Sequence, residues 1–251
     1  MNNARYLECL ASDFARLREV ATATDPDAKV PSCPEWTVND LVDHVAKVYL
    51  HKVEVMRQGR HPEVWPPDLS AEKPLESLDR GYTDLIAEFA ARPAESPTHT
   101  WYQPDQTVGF WIRRMAQETV IHRVDAELAA GADVAPIPED LAVDGVDEVL
   151  IAFLEYGVTG WPEEFTETLA ATTGARVRLD AGNTAFVVEL APGTLKVSPA
   201  EVGAPADAAV SGGASEVLRW LWNRAGDEVV ERSGDESALG VLRRSMVIAT
   251  Q

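Results

Sequence analysis

The sequence predicts a mixed α and α/β fold class, in which a helical bundle precedes a small α+β domain. Up to about residue 157, apolar residues recur at the three- and four-residue spacing of amphipathic helices. After Trp161 the pattern changes to short segments that alternate apolar and polar residues, as strands do. The chain of 251 residues, 45% of them hydrophobic, is long enough for one large core or two modest ones. We therefore expect one domain over residues 1–157 and a second over 158–251.

Four helices are expected in the bundle, joined by irregular connections, several of them rich in proline. The clearest helix start is at Thr37, which lies three residues before Asp40 and predicts a capping box at the beginning of the second helix. Helices of about 15–20 residues with this pattern are typical of an up-and-down four-helix bundle. A further helix is expected to end at Gly157, since glycine is common just after helix C-termini. The expected ranges are 4–24, 37–57, 75–91, 110–130 and 138–156.

The second domain is expected to contain a small sheet covered by helices. Its strand segments read ARVRLDA, TAFVVELA, GTLKVSP and AAVSG, and turns containing glycine, asparagine or proline separate them. Two helices follow, one over the segment ASEVLRWLWNRAG and a last one at about residues 237–245. This order of elements is typical of an α+β domain.

Composition excludes several classes of partner. The net charge is −19, from 22 basic and 41 acidic residues, and both halves of the chain are acidic. Nucleic-acid binding needs clustered Lys and Arg, so neither nucleic acid nor an anionic membrane is expected as a partner. No apolar run reaches the roughly 20 residues of a membrane-spanning helix, and the N-terminus lacks the pattern of a signal peptide. Two cysteines do not form a disulfide framework, so we expect a cytoplasmic protein, either a monomer or a weak dimer.

A carboxylate and an imidazole face the interior of the fourth expected helix. Glu118 and His122 are four residues apart, and they share a stripe with the apolar residues Trp111 and Met115. His44 faces inward in the same way from the second expected helix. Polar groups are costly to bury unless they are satisfied together, and two histidines with one glutamate form a known zinc-binding set. These residues are therefore candidate metal ligands.

A simpler interpretation stays open from spacing alone. Glu118 would then pair with Arg114 or Arg123, and each histidine would be an ordinary hydrogen-bonded core residue. Glu-x-x-x-His is a weak motif, because many helices contain it by chance.

The three remaining histidines are weaker candidates. His51 lies seven residues after His44, about 10 Å further along the helix, so it could line the same cleft but not bind the same ion. His61 and His99 lie in proline-rich loops.

Two segments give the chain a family resemblance. VPSCPEWTVNDLVDHVAKVY and DQTVGFWIRRMAQETVIHRVDAELAAG resemble the entry segment and the two ligand helices of the mycothiol-dependent maleylpyruvate isomerase family. The resemblance covers essentially the whole chain. It implies a DinB-like metal-binding bundle in the first domain and a fold similar to sterol carrier proteins in the second.

The resemblance places the metal ligands of the family on His44, Glu118 and His122. It implies a divalent metal, typically zinc, and mycothiol as the thiol cosubstrate. The metal would lower the pKa of the thiol, and the thiolate would add to a small electrophile. In an isomerase the thiol then leaves after rotation of the bond, whereas in a transferase the adduct persists. Many relatives have histidine where this chain has Gln117, a position expected to point away from the ligands.

Other residues are given expected roles from their positions in the sequence. Asp125 lies one turn after His122 and is expected to hydrogen-bond either the thiol or a ligand imidazole, or else to pair with Arg123. The resemblance implies that Arg224 reaches from the second domain toward an anionic substrate, with a solvated helix-end arginine as the alternative. Cys33, between prolines, is not expected to be a nucleophile. Three aromatic residues either line the cleft or belong to the core, namely Trp36, Tyr49 and Trp111.

These observations predict a metal-dependent mycothiol S-transferase or isomerase, with Asp125 and Arg224 as candidate catalytic residues. One alternative is maleylpyruvate isomerase itself. Another is a non-catalytic module that binds a small molecule or lipid and has a structural metal, and a third is a relative that has lost catalysis and acts in regulation. An open coordination position favours catalysis, whereas a closed one favours a structural metal.

Overall fold

The computed structural model describes residues 1–69, 71–170 and 172–250. The chain divides into two compact units, Met1–Ala135 and Pro136–Gln251. The fold class predicted from the sequence is confirmed, since a helical unit precedes a unit built on a mixed sheet.

The first unit is a bundle of four long helices with a two-stranded ribbon. Helix α1 packs mainly on α4, and α2 packs mainly on α3. Antiparallel strands β1 and β2 connect α1 to α2. The elements are α1 (Asn3–Ala23), β1 (Lys29–Val30), β2 (Cys33–Thr37), α2 (Val38–Gln58), α3 (Pro74–Ala91) and α4 (Val108–Ala129).

Helix α2 begins and ends where its sequence predicts. The Thr37 hydroxyl accepts a hydrogen bond from the backbone N–H of Asp40, and the Asp40 carboxylate accepts one from the backbone N–H of Thr37, which completes the capping box. At the other end, Gly59 has a φ of 66°, in the left-handed region that glycine adopts without strain. These two caps set the span of the helix that carries His44.

Helix α4 packs on α1 and α2 and is buried on most of its surface. Many of its buried positions are polar, so this helix has no continuous apolar stripe in the sequence. The buried polar residues of α4 are Arg114, Gln117, Thr119, His122, Arg123, Asp125 and Glu127.

The second unit begins with a long helical segment. It consists of α5 (Glu139–Glu148), a π-helical segment (Val149–Glu155) and α6 (Tyr156–Gly160), and α7 (Pro162–Ala170) follows. Helix α5 packs on α8 of the second unit. The predicted domain boundary after residue 157 therefore differs from the structure, where the division falls after Ala135.

Gly157 does not end this helical segment, contrary to the prediction. The helix continues through it to Gly160, and the φ of Gly157 is not positive. A Cβ atom at this position would lie 3.4 Å from Cζ of Phe165. That distance is an ordinary van der Waals contact, so Gly157 lies against the Phe165 ring within the helical segment and does not act as a helix cap.

A five-stranded mixed sheet forms the centre of the second unit, in the order β5-β4-β3-β6-β7. Neighbouring strands are antiparallel except β3 and β6, which are parallel. Helices α8 and α9 pack on the central strands β3 and β6. The elements are β3 (Ala175–Ala181), β4 (Thr184–Ala191), β5 (Thr194–Ala200), β6 (Ala208–Gly212), α8 (Ala214–Leu221), a 3-10 turn (Asp227–Val229), β7 (Glu231–Gly234) and α9 (Glu236–Ala249).

The four strands predicted in this unit are confirmed, while β7 and α7 were not predicted. Helix α8 is shorter than expected, because the chain turns at Asn223, whose φ is 59°. None of the helices in the described ranges is long and apolar enough to cross a membrane.

Candidate metal centre

The structure brings together the three side chains that the sequence singled out as metal ligands. One potential ligand atom from each of His44, Glu118 and His122 lies within 4.8 Å of the others. Oε1 of Glu118 is 3.4 Å from Nε2 of His44 and 3.1 Å from Nε2 of His122. In the part of the chain that is described, this is the one group of three or more His, Cys, Asp or Glu residues close enough to hold a metal ion.

The centre is buried on one side and open on the other. The side chains of Glu118 and His122 are 13% and 8% exposed, whereas the side chain of His44 is 36% exposed. A ligand can therefore approach from the His44 side.

Asp125 and Ser32 extend the centre behind His122. Nδ1 of His122 lies 2.9 Å from Oδ2 of Asp125, and the Ser32 hydroxyl donates to Oδ1 of the same carboxylate. Of the three sequence alternatives for Asp125, the structure shows the contact with an imidazole, that of His122. Sequence reasoning did not identify Ser32, because the segment between β1 and β2 carries no pattern that places it against α4.

The two oxygens of Glu118 have different partners. Oε1 faces the two imidazoles, while Oε2 accepts a hydrogen bond from Arg114. Arg123, the other pairing partner considered, instead contacts Asp13 and Glu127. Glu118 can therefore pair with Arg114 through Oε2 and still present Oε1 to a metal ion.

The charges in the centre shift the pKa values of its residues. Burial alone would raise the pKa of Glu118, but the charges of His122 and Arg114 outweigh it and hold that pKa well below its usual range. Burial lowers the pKa of His122, but the charge of Glu118 and the hydrogen bond to Asp125 outweigh it and raise that pKa to about 9. In the metal-free centre His122 is therefore protonated at neutral pH, and its charge pairs with Glu118 and Asp125.

The three aromatic residues divide between the centre and the core. The Trp36 ring lies 4.7 Å from the His44 ring and 6.2 Å from the His122 ring, measured between centroids, so it lines the centre. Tyr49 and Trp111 are fully buried, and burial raises the pKa of Tyr49. They belong to the core of the bundle.

The other three histidines form a second group, apart from the metal centre. The rings of His51 and His61 are 5.5 Å apart, and those of His61 and His99 are 4.5 Å apart. Sequence reasoning named all three residues but could not group them, because two of them lie in loops whose path the sequence does not determine.

Arg224 lies in the second unit, just after α8. Its guanidinium donates to the backbone carbonyl of Trp222 at 2.6 Å and lies 5.8 Å from the centroid of the Trp222 ring. Its role toward a substrate stays a prediction. Cys33 lies in β2 and, like Cys9, is not in a disulfide.

Comparison with known proteins gives two consistent findings. Residues 7–127 match the mycothiol maleylpyruvate isomerase N-terminal domain, and residues 140–240 match the C-terminal domain of the same family. No curated protein matches the chain at significant sequence similarity.

Solved structures show the same fold. The crystal structure of the mycothiol-dependent maleylpyruvate isomerase is 18% identical, with a TM-score of 0.64, and the match covers 94% of this chain and 95% of that chain. A histidine-to-alanine mutant of that isomerase is 16% identical, with a TM-score of 0.63 and the same coverage. With both domain matches in the expected order, the chain belongs to the mycothiol maleylpyruvate isomerase family.

Proposed function

We propose that this protein binds a divalent metal ion through His44, Glu118 and His122 and uses it to activate a thiol toward a small electrophile. The observation that carries the proposal is the convergence of these three side chains from two helices, with one side open. Its reaction would be that of a metal-dependent thiol S-transferase or of a cis-trans isomerase.

The donor set fits a catalytic zinc site. Two imidazole nitrogens and one carboxylate oxygen are ligands that zinc accepts, and three protein ligands leave a fourth position for water or substrate. The contact between Asp125 and His122 matches the carboxylate–histidine pairs that orient metal-binding imidazoles. A purely structural zinc site would instead be closed by a fourth protein ligand.

Each neighbouring residue has a definable part in this proposal. When bound, the ion would lower the pKa of an incoming thiol, so that it is deprotonated near neutral pH. Asp125 holds the proton of His122 on Nδ1 and so turns Nε2 toward the ligand position. Arg114 holds the second oxygen of Glu118, and Trp36 covers the imidazoles.

The names of the family and of the similar structure suggest the reactants, mycothiol as the thiol and maleylpyruvate as one candidate electrophile. In an isomerase, the thiolate forms a C–S bond with one carbon of the conjugated double bond, and the electron pair moves to the carbonyl as an enolate. Rotation about the resulting single bond and return of the electron pair then expel the thiolate. In a transferase, the proton that the thiol lost to solvent is replaced by one that solvent delivers to the enolate carbon, and the thioether remains.

The test is the consumption of mycothiol and the isomerisation of maleylpyruvate by the zinc-loaded protein. We expect saturable turnover that needs the metal and is lost in His44→Ala. Asp43→Asn is the matched control, since Asp43 precedes His44 on α2 but pairs with Lys47. If a fully metal-loaded protein consumes no mycothiol with any isomerisable dicarboxylate or halogenated acceptor, the chain is a binding module with a structural metal.

A cytoplasmic location and a monomeric or weakly dimeric state remain predictions.

A further inference from the structure

A second cluster of basic side chains lies in the first unit, outside the metal centre. It consists of the histidine rings of His51, His61 and His99, with Lys52 beside them and Trp65 against His51. His61 is exposed, so the cluster opens to solvent. We refer to these five residues as the basic cluster.

Within the described residues Lys52 has no salt-bridge partner, and the charge of Glu118 acts on its ammonium only at longer range. Its Nζ lies 4.8 Å from the centroid of the Trp111 ring and 3.1 Å from Nδ1 of His51. Across residues 1–69, 71–170 and 172–250, no carboxylate oxygen lies within 4 Å of this Nζ. On the same helix, Lys47 by contrast pairs with Asp43 at 2.6 Å. Desolvation of this ammonium outweighs the long-range charge of Glu118, so an anion in direct contact would stabilise it.

His51 presents a hydrogen-bond donor beside this cation. Burial lowers the pKa of His51 to about 4, aided by the charge of Lys52, so the ring is neutral at pH 7. Burial lowers the pKa of Lys52 to about 8, so the ammonium remains mostly protonated at pH 7. Because the ammonium donates to Nδ1, the proton of the neutral imidazole lies on Nε2, which is then a donor.

His99 adds an unsatisfied polar atom to the same cluster. Its Nε2 is buried and has no hydrogen-bond partner among the described residues. Its backbone carbonyl accepts a hydrogen bond from Nε1 of Trp111, at 3.0 Å, which fixes the loop against the ring that faces Lys52. Buried polar atoms without partners are rare in folded proteins, so this nitrogen is available to a bound group.

The chemistry of the cluster favours an anion over a second metal ion. Three imidazoles could bind zinc, but Nδ1 of His51 is already occupied by the Lys52 ammonium, and a cation would be repelled at this distance. A carboxylate, in contrast, accepts several hydrogen bonds and neutralises an ammonium.

We propose that Lys52 and His51, supported by His99, form a subsite that binds a carboxylate group of an organic acid. The inference rests on the proposed function in one respect, because it assumes that this organic acid is the electrophile of the thiol reaction. Along α2, His51 lies about 10 Å from His44. A dicarboxylate or keto acid longer than succinate is needed to cover most of this distance, with one carboxylate at Lys52 and its reactive carbon toward the open side of the metal centre.

The test is isothermal titration calorimetry of the zinc-loaded protein with succinate, in the absence of any thiol. We expect saturable binding that Lys52→Met weakens by about 10- to 100-fold, the usual loss for one charge-assisted hydrogen bond. Succinamide, which has the same length without charge, should not bind measurably. Lys47→Met is the matched control and should bind succinate as the unmodified protein does.

A loss of less than tenfold in Lys52→Met, an equal loss in Lys47→Met, or no saturable binding to the unmodified protein would overturn the proposal. Zinc content is measured for each variant and matched among them, because succinate can also coordinate the metal. Such coordination then contributes equally to the affinities that are compared. If Lys52→Met does not fold, Lys52→Gln provides a neutral side chain that still reaches His51. Because no thiol is present, failure of the thiol reaction would leave this result unchanged.

Discussion

Oδ2 of Asp125 lies 2.9 Å from Nδ1 of His122, three residues earlier on the same helix. Because the carboxylate accepts a hydrogen bond from Nδ1, the other ring nitrogen is directed at Glu118 and at the proposed metal position. The other oxygen of Asp125 accepts the Ser32 hydroxyl, which fixes the carboxylate itself. Asp125 was a candidate catalytic residue from the sequence, and its contacts are those of a positioning residue.

Asp125→Asn is expected to weaken zinc binding by about 10- to 100-fold, because loss of the carboxylate removes the group that orients His122 and increases its basicity. The dissociation constant is measured by competition with a chromogenic chelator. Ser32→Ala, which removes one hydrogen bond from Asp125 and leaves the carboxylate in place, should cost less than tenfold. Unchanged zinc affinity in Asp125→Asn would show that the contact does not support metal binding.

His44→Ala is expected to abolish stoichiometric metal binding while leaving helix content largely intact. The side chain is 36% exposed, so its removal leaves no large cavity in the bundle. Metal content is measured by elemental analysis and helix content by circular dichroism. His61→Ala, at an exposed histidine outside the triad, should keep one equivalent of metal. A full equivalent in His44→Ala would reject this residue as a ligand.

Lys52→Met is expected to raise the thermal stability of the protein at pH 7. The pKa of Lys52 is about 8 in the folded chain, below the roughly 10.4 of an unfolded lysine, so the unfolded state binds more protons between these values. The stability of the unmodified protein therefore rises with pH across that window, and the cost is present in full below pH 8. After allowance for partial solvent screening, the cost is roughly 1 to 2 kcal/mol.

The melting temperature of both proteins is measured at pH 7 and at pH 10. The advantage of Lys52→Met at pH 7 should shrink at pH 10, where the unmodified lysine is largely neutral in the folded state. If the melting temperature of Lys52→Met exceeds that of the unmodified protein by the same amount at both pH values, the gain comes from packing alone. A lower melting temperature of Lys52→Met at pH 7 would mean that the contact with Trp111 outweighs the cost of desolvating the ammonium.

The sequence was most informative where a contact lies within one helix. Glu118 and His122 share a face because four residues make about one turn, and the same periodicity identified α4 itself. The pairing of α2 with α4 was less direct, since no helical periodicity links His44 to the other two residues. The cost of burying three polar groups, the zinc-binding donor set and the family resemblance together suggested it. The predicted domain boundary differs from the structure because the periodicity of α5 indicates an amphipathic helix. It does not indicate which of the two units that helix packs on.

The basic cluster could not be predicted in the same way. Its members come from one helix and two loops, and the path of those loops depends on tertiary contacts such as the one between Trp111 and the carbonyl of His99. Short elements were missed for a similar reason. Strand β7 is exposed along its whole length, so no alternation of buried and exposed residues marks it in the sequence.

Thr37→Ala is expected to lower the free energy of unfolding by about 1 kcal/mol, since it removes the hydroxyl that accepts the backbone N–H of Asp40 at the start of α2. Urea unfolding followed by circular dichroism measures this loss. Thr83→Ala is the control, because the Thr83 hydroxyl bonds only to the Asp79 carbonyl within α3 and lies on an exposed face. That change should stay within about 0.5 kcal/mol. Equal losses in the two variants would show that the capping box does not determine where the helix that carries His44 begins.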